Sequence, residues 1–276
     1  MNPRELAADD LPRRWRTYWP DADVERIARD VEVRVDDAIA AWGLIGAHSV
    51  PGGHVGAVLA TRDLVLKVSP RDHDDDVLIA SQPDALDHWR PTGIVPVVHG
   101  RRDDGFTYLM QRLRPGTALD DAGLGFEDRL RTLGLLAARL HAAGQASAAF
   151  VPLADYAARW NPGPLAQPSD DDVLLHADLH GGNVLRDGDG WKVVDPHAAR
   201  GDRHADVWAF LDPLVPAVPD DATALRWVAV YAEAAGLDPE RARAWVHVRA
   251  LGEAGDVEPD DPDWAARLRR MAEATS

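Results

Sequence analysis

Residues 176–195, HADLHGGNVLRDGDGWKVVD, constrain this chain more than any other stretch. Three polar side chains alternate at its start (His176, Asp178, His180). Two glycines follow, and Asn183 closes the loop. Two apolar runs, NVL and WKVV, then flank the glycine-rich turn RDGDG, which is the pattern of a β-hairpin. A hairpin brings its two ends together. Asn183 and Asp195 are therefore expected side by side.

The loop admits more than one chemistry. His176, Asp178 and His180 have the period-2 spacing of residues on one face of a strand, which a zinc metallohydrolase could use. His197 and His204 are further imidazoles nearby, but none of these residues falls in an H-x₃-H or H-E-x-x-H pattern. The paired glycines also suit a loop better than a strand. Phosphoryl transfer fits more of the stretch. The spacing His176-x-Asp178-x₄-Asn183 matches the catalytic-loop pattern H-x-D-x₄-N. In that pattern the aspartate accepts the proton of the attacking hydroxyl and the asparagine offers a neutral oxygen to Mg²⁺. The pattern also requires a carboxylate as second metal ligand, and Asp195 at the hairpin's end meets that need independently.

Nucleotide phosphates need a cation and a backbone cradle. Of 30 basic residues only Lys67 and Lys192 are lysines. A compact ammonium is not interchangeable with a planar guanidinium, so a retained lysine invites a reason. Lys67 lies in the strand-like run LVLKVS. The cradle would be PGGHVG at 51–56, with Gly52 and Gly53. A strand follows it rather than a helix, which sets it apart from a dinucleotide fingerprint. No G-x₄-G-K-[ST] phosphate loop occurs.

The texture of the chain changes once. Before about residue 112, a short amphipathic helix at 34–43 precedes runs that read as strands: IGAHSVP, HVGAVLAT, LVLKVS, IVPVVHG and FTYLMQRL. A helix at 81–90 carries the S-x-x-D capping pattern at Ser81 and Asp84. Beyond Pro115-Gly116 helices dominate. Leu130, Leu133, Leu136 and Leu140 mark one apolar helical face, and further helices are expected at 222–235, at 239–251 and from Asp261-Pro262 onward. The expected fold class is α+β, with a sheet-rich lobe at 1–112 for nucleotide binding and a helix-rich lobe at 113–276 for catalysis and substrate.

On these residues the sequence resembles the aminoglycoside/hydroxyurea antibiotic resistance kinases, the streptomycin 6-kinase-like branch of the protein-kinase-like small-molecule phosphotransferases. The resemblance is carried by WGL at 42–44, PGG at 51–53, VLKVSP at 65–70, DALDHW at 84–89, LMQRLRPGTAL at 109–119, HADLHGGNVLRDG at 176–188, VVDPHAARGDRHAD at 193–206 and RARAW at 241–245. It implies a two-lobed protein-kinase-like fold and ATP-dependent O-phosphorylation of a small molecule with Mg²⁺, GTP remaining an alternative donor. It implies Asp178 as base, Asn183 and Asp195 as Mg²⁺ ligands and Lys67 as phosphate contact. It also implies a hinge from Leu109 to Leu113 that meets adenine through backbone, with Gln111 and Leu113 in it. Asp206 would brace the catalytic loop, and His176 would support it.

Two departures matter. Such enzymes pair the strand lysine with a glutamate on the next helix, yet between Glu32 and Glu127 the chain has none. Gln82 and Asp84 stand on the matching helix, Asp74, Asp75 and Asp76 precede it, and Asp84 is the expected partner. His197 also stands where close relatives carry lysine.

Composition bounds the acceptor. The net charge of −16 argues against a nucleic-acid partner; it serves solubility or, on the sharper reading, attracts a cationic small molecule. Substrate contacts are expected from His180, His197, Glu253 and Asp256, with an aminoglycoside-type antibiotic first and an amino sugar, another sugar or a secondary metabolite second. Asp202 reads as structural. No A-P-E element follows Asp195, against a protein kinase. The joint presence of base, metal ligands and lysine weighs against a non-catalytic nucleotide-binding module. Absence of cysteine excludes disulfides and thiolate metal sites. With no apolar run long enough to span a bilayer and no leader-like start, no membrane partner is expected and a cytoplasmic location is the simplest. The oligomeric state leaves no mark on the sequence.

Overall fold

The computed structural model describes residues 13, 15–16, 23–50, 56–71 and 76–276. The chain divides into two compact units, residues 1–87 with 96–113, and residues 88–95 with 114–276. The strip 88–95 thus goes with the helix-rich unit, although the sequence places it in the sheet-rich one. Gly52 and Gly53 of the expected cradle, and Asp74 and Asp75, lie outside the described residues.

In the first unit, helix α1 (Val24–Trp42) is capped by Asp23, whose side chain accepts from Arg26 N at 3.0 Å, and ends at Gly43 in the left-handed region. Val24, Ile27, Val31, Val35 and Ala38 form its buried stripe. The sheet contains β1 (His48–Ser49), β2 (Ala57–Ala60), β3 (Leu64–Val68), β4 (Val98–Arg102) and β5 (Thr107–Gln111) in the order β1-β2-β3-β5-β4. Every pairing is antiparallel. Leu59, Leu66, Val68 and Leu109 share one apolar cluster with the α1 stripe. Alternation along β3 then turns Lys67 to the other face, opposite Val58 and Tyr108. Two short helices follow β3, α2 (Asp76–Ala80) and α3 (Gln82–Trp89).

The expected Ser81–Asp84 capping box does not form. Ser81 Oγ donates instead to Leu78 O at 2.8 Å, and the Asp84 carboxylate pairs with Arg101.

The second unit holds two small sheets and five α-helices among the described residues. Strands β6 (Pro115–Ala118), β9 (Val184–Asp187) and β10 (Gly190–Val193) form an antiparallel sheet ordered β10-β9-β6. The expected hairpin is β9-β10, with Val193 opposite Val184. Strands β7 (Val151–Pro152), β8 (Val173–Leu175) and β11 (Ala199–Gly201) form the other, with β11 parallel to β7 and antiparallel to β8. The leucine face of α4 (Phe126–His141) is buried at Leu130, Leu133, Leu136 and Leu140. After α5 (Leu153–Tyr156), helices α6 (Asp221–Ala235), α7 (Pro239–Val257) and α8 (Pro262–Ala274) begin at Asp220, Asp238 and Asp261, each accepting a first-turn amide. No helix among the described residues is long and apolar enough to cross a membrane.

Candidate active site

The loop after β8 is fixed from below by one buried carboxylate. Asp206, fully shielded from solvent, accepts His176 N–H at 3.1 Å, Ala177 N–H at 2.9 Å and His141 Nε2 at 3.1 Å. Burial alone would raise its pKa. The His141 contact and the His176 amide outweigh that and hold it below the ordinary value. Tyr231 Oη anchors the Asp206 carbonyl. These bonds hold Ala177 at a φ of +62°, a strained conformation for a non-glycine residue immediately before Asp178.

His176 uses both ring nitrogens. Nε2 donates to Val194 O at 2.9 Å, and Nδ1 accepts Asp178 N–H at 3.3 Å. Its ring stacks on Trp89, burial lowers its pKa, and an Nδ1 that accepts an amide makes the ring neutral. It ties the loop to the hairpin and has no lone pair left for a metal. His180 is likewise engaged, with Nδ1 2.8 Å from Asp212 Oδ2. Among the described residues no three His, Cys, Asp or Glu side chains are placed to hold a metal ion. The zinc-hydrolase alternative at His176, Asp178 and His180 therefore finds no support.

Asn183 Nδ2 donates to Asp178 O at 2.9 Å and to Asp178 Oδ2 at 2.8 Å. The carboxamide's other atom, Oδ1, is then the neutral oxygen for a hard cation. Across the hairpin, Val194 N–H donates to Asn183 O at 2.9 Å, which brings Asp195 next to Asn183. Asp195 has a φ of +64°, outside the extended range of the strand it follows. One amide oxygen and one carboxylate suit Mg²⁺, which fills its remaining positions with water and phosphate oxygens.

In the first unit, Lys67 is 5% exposed and its Nζ donates to Gln82 Oε1 at 2.9 Å. The expected partner Asp84 pairs elsewhere, and Gln82 is the helix residue that binds the ammonium. Asp84 faces the side of α3 where Arg101 binds both it and Asp87, while Gln82, two residues earlier, is 2% exposed and also receives Tyr108 Oη at 3.2 Å. In the expected hinge, Gln111 donates its amide to Val97 O at 2.8 Å, Arg112 donates to Asp63 O at 2.9 Å, and Leu113 is buried. Lys192 pairs with Asp187 within the hairpin at 3.2 Å.

Of the expected substrate contacts, His197 is half-buried and its amide donates to His176 O at 2.9 Å. Glu253 is half-buried on α7. Burial raises its pKa against the pull of Arg249 and Arg159, and the charge of Asp178 also acts on it. Asp256 is exposed, 4.0 Å from Arg159. Asp202 is structural: His204, Arg241 and Trp245 all donate to it. The sequence reading missed His141 and Asp212. The first ends a leucine-rich helix, and the second lies in an unremarkable Asp-Pro turn.

Residues 163–259 match the family described as aminoglycoside/hydroxyurea antibiotic resistance kinase. No curated protein matches the chain. Among solved structures, the chain is similar to the aminoglycoside phosphotransferase APH(3'')-Id from Streptomyces rimosus in complex with ADP and streptomycin. Identity is 19% at a TM-score of 0.53, covering 80% of this chain and 97% of that one. It is similar to the choline kinase LicA from Streptococcus pneumoniae, with 12% identity, a TM-score of 0.54, and 88% and 98% covered. The streptomycin–ATP complex of APH(2'')-IIa gives 13% identity and 0.54, with 89% and 98% covered. The chain has a protein-kinase-like fold, and its residues 163–259 match the aminoglycoside/hydroxyurea antibiotic resistance kinase family.

Proposed function

We propose that the chain transfers the γ-phosphoryl group of ATP to a hydroxyl of a small cationic molecule, an aminoglycoside-type antibiotic first among the candidates. The observation that carries this reading is the Asp178–Asn183 pair, with Nδ2 of one 2.8 Å from Oδ2 of the other, on a loop braced by Asp206. Asp178 takes the acceptor's hydroxyl proton as the acceptor oxygen bonds to phosphorus. The bond from phosphorus to the bridging oxygen breaks, and ADP leaves. Asn183 and Asp195 would hold Mg²⁺, which when bound neutralises phosphate charge. Lys67, oriented by Gln82, would contact phosphates, and backbone at Gln111 and Leu113 would meet adenine.

The acid balance of the chain and the side chains of Glu253 and Asp256 support a cationic acceptor, and His180 and His197 lie on or beside the catalytic loop. An amino sugar or a neutral sugar is the second reading. A cytoplasmic location, where ATP is supplied, fits this reading.

The test is ADP release with ATP, or GTP, and Mg²⁺ over a panel of aminoglycosides, amino sugars and neutral sugars. Acceptor-dependent release with an aminoglycoside is the expected result. Release only with a neutral sugar would overturn the cationic reading. No release with any acceptor would overturn the phosphotransferase itself.

A further inference from the structure

Asp212 follows the short helical turn Trp208–Phe210 in the second unit. Its Oδ1 accepts Leu214 N–H at 2.7 Å, and its Oδ2 lies 2.8 Å from His180 Nδ1. Both side chains are largely buried, at 13% and 19% exposure. Gly182 N–H also approaches His180 Nδ1, at 3.3 Å. One nitrogen cannot accept from that amide while donating to Asp212. The shorter contact, to a carboxylate, places a proton on Nδ1.

The other end of the imidazole faces the base, with Nε2 3.9 Å from Asp178 Oδ2. Asn183 Nδ2 binds that same oxygen at 2.8 Å. Both neighbours lie on the Oδ2 side of the carboxylate. The charged groups acting on His180 are Asp178 on its own loop, Asp212 from the following turn and Asp120 from the turn after β6. Arg129 from α4 is bound to Asp120. Burial opposes a charge on the ring, but the Asp212 bond and the three acids outweigh it and raise its pKa. The close fit is visible at Gly181, where a Cβ would lie 2.1 Å from Asp120 Oδ1.

Resting on the phosphotransferase reading, we propose that Asp212 is a positioning residue: through His180 it fixes the Oδ2 side of Asp178, so that Oδ1 is the oxygen left to take the acceptor's proton. Asn183 supplies one constraint on Oδ2 and the Asp212-held imidazole the other. A base oriented by two groups keeps its free oxygen aligned, and misplacement by about 1 Å can cost ~10²-fold in rate.

The experiment compares Asp212→Asn, Asp212→Glu, His180→Gln and the Asp212→Asn/His180→Gln double variant in ADP release with the best acceptor of the panel. Asp212→Asn should lower kcat about tenfold or more, with KM for ATP within about twofold. Asp212→Glu keeps the charge and should recover most of kcat. The double variant should be no worse than the poorer single, since Asp212 acts through His180. Additive losses, or a raised acceptor KM with unchanged kcat, would overturn the proposal. A readout independent of turnover is the NMR titration of the His180 ring. Its midpoint should fall in Asp212→Asn and also in Asp178→Asn, and an unmoved midpoint in Asp178→Asn would show that His180 does not sense the base. A wild type that releases no ADP with any acceptor refutes the phosphotransferase reading and this proposal with it. An active wild type with an equally active Asp212→Asn refutes the proposal alone.

Discussion

Asp178 differs from the other buried or half-buried acids by its company. Asp202 and Asp206 each collect three or more hydrogen bonds, which suits a brace. Asp178 keeps 20% of its side chain exposed and has one strong bond, from Asn183. That leaves an oxygen for a reacting hydroxyl. Asp178→Asn should therefore lower kcat by ~10²–10⁴ while nucleotide affinity, measured by calorimetry, stays near wild type. Near-normal turnover would remove Asp178 from the base role. Lys67 allows a matching test. Gln82 orients its ammonium at 2.9 Å without contributing a charge, and the neighbouring Tyr108 hydroxyl leaves little room for a fork. Lys67→Arg should raise KM for ATP and cut kcat/KM by at least about tenfold, with a melting temperature close to wild type. A variant as active as wild type would separate Lys67 from the phosphates.

Among elements, the catalytic loop depends on a turn outside it. Asp206 presents Oδ2 to His176 N–H and His141 and Oδ1 to Ala177 N–H, so an amide in its place turns a donor towards at least one of them. Asp206→Asn should cost ~3 kcal/mol in urea unfolding, since hydrogen bonds to a charged group contribute ~1.5–3 kcal/mol each. The pH dependence has a definite sign. A carboxyl whose pKa is depressed by folding stabilises fully above its unfolded value of ~3.9, and that stabilisation is lost as pH falls through the folded value. Asp206 and Asp212 are both depressed, so wild-type stability should fall below pH ~4, and less steeply in Asp206→Asn. The sequence made the loop, the hairpin and the capped helices legible because each is specified locally, by spacing, turn residues and Asp caps. What it hid was settled at longer range. The stretch VEVRV alternates like a strand, so α1 reads from residue 34 although it starts at Val24. Helix α7 reads as ending near 251 because two glycines follow, yet Gly252 continues the helix, and a Cβ there would lie 2.2 Å from Trp160. The choice of Gln82 over Asp84 depends on which side of α3 carries Arg101, and no local pattern encodes that.

At the scale of the whole molecule, the excess of acids has a consequence separable from any one contact. A net charge of −16 attracts a multiply cationic acceptor and raises its concentration near the protein. That attraction is screened over ~10 Å at 0.1 M salt and ~3 Å at 1 M. The proposed proton transfer to Asp178 would take place among half-buried groups whose interactions are much less screened. Raising sodium chloride from about 0.05 to 0.5 M should therefore increase KM for a cationic aminoglycoside several-fold and leave kcat nearly constant. A neutral sugar acceptor, measured in parallel, should show a much flatter KM, because ATP and Mg²⁺ are common to both assays. Neutralising Asp256, which is exposed and only loosely paired with Arg159, should reduce the salt slope for the cationic acceptor without changing kcat. Equal salt slopes for the charged and neutral acceptors would show that the acidic surface plays no part in capturing substrate, and recognition would then rest on the hydroxyls alone.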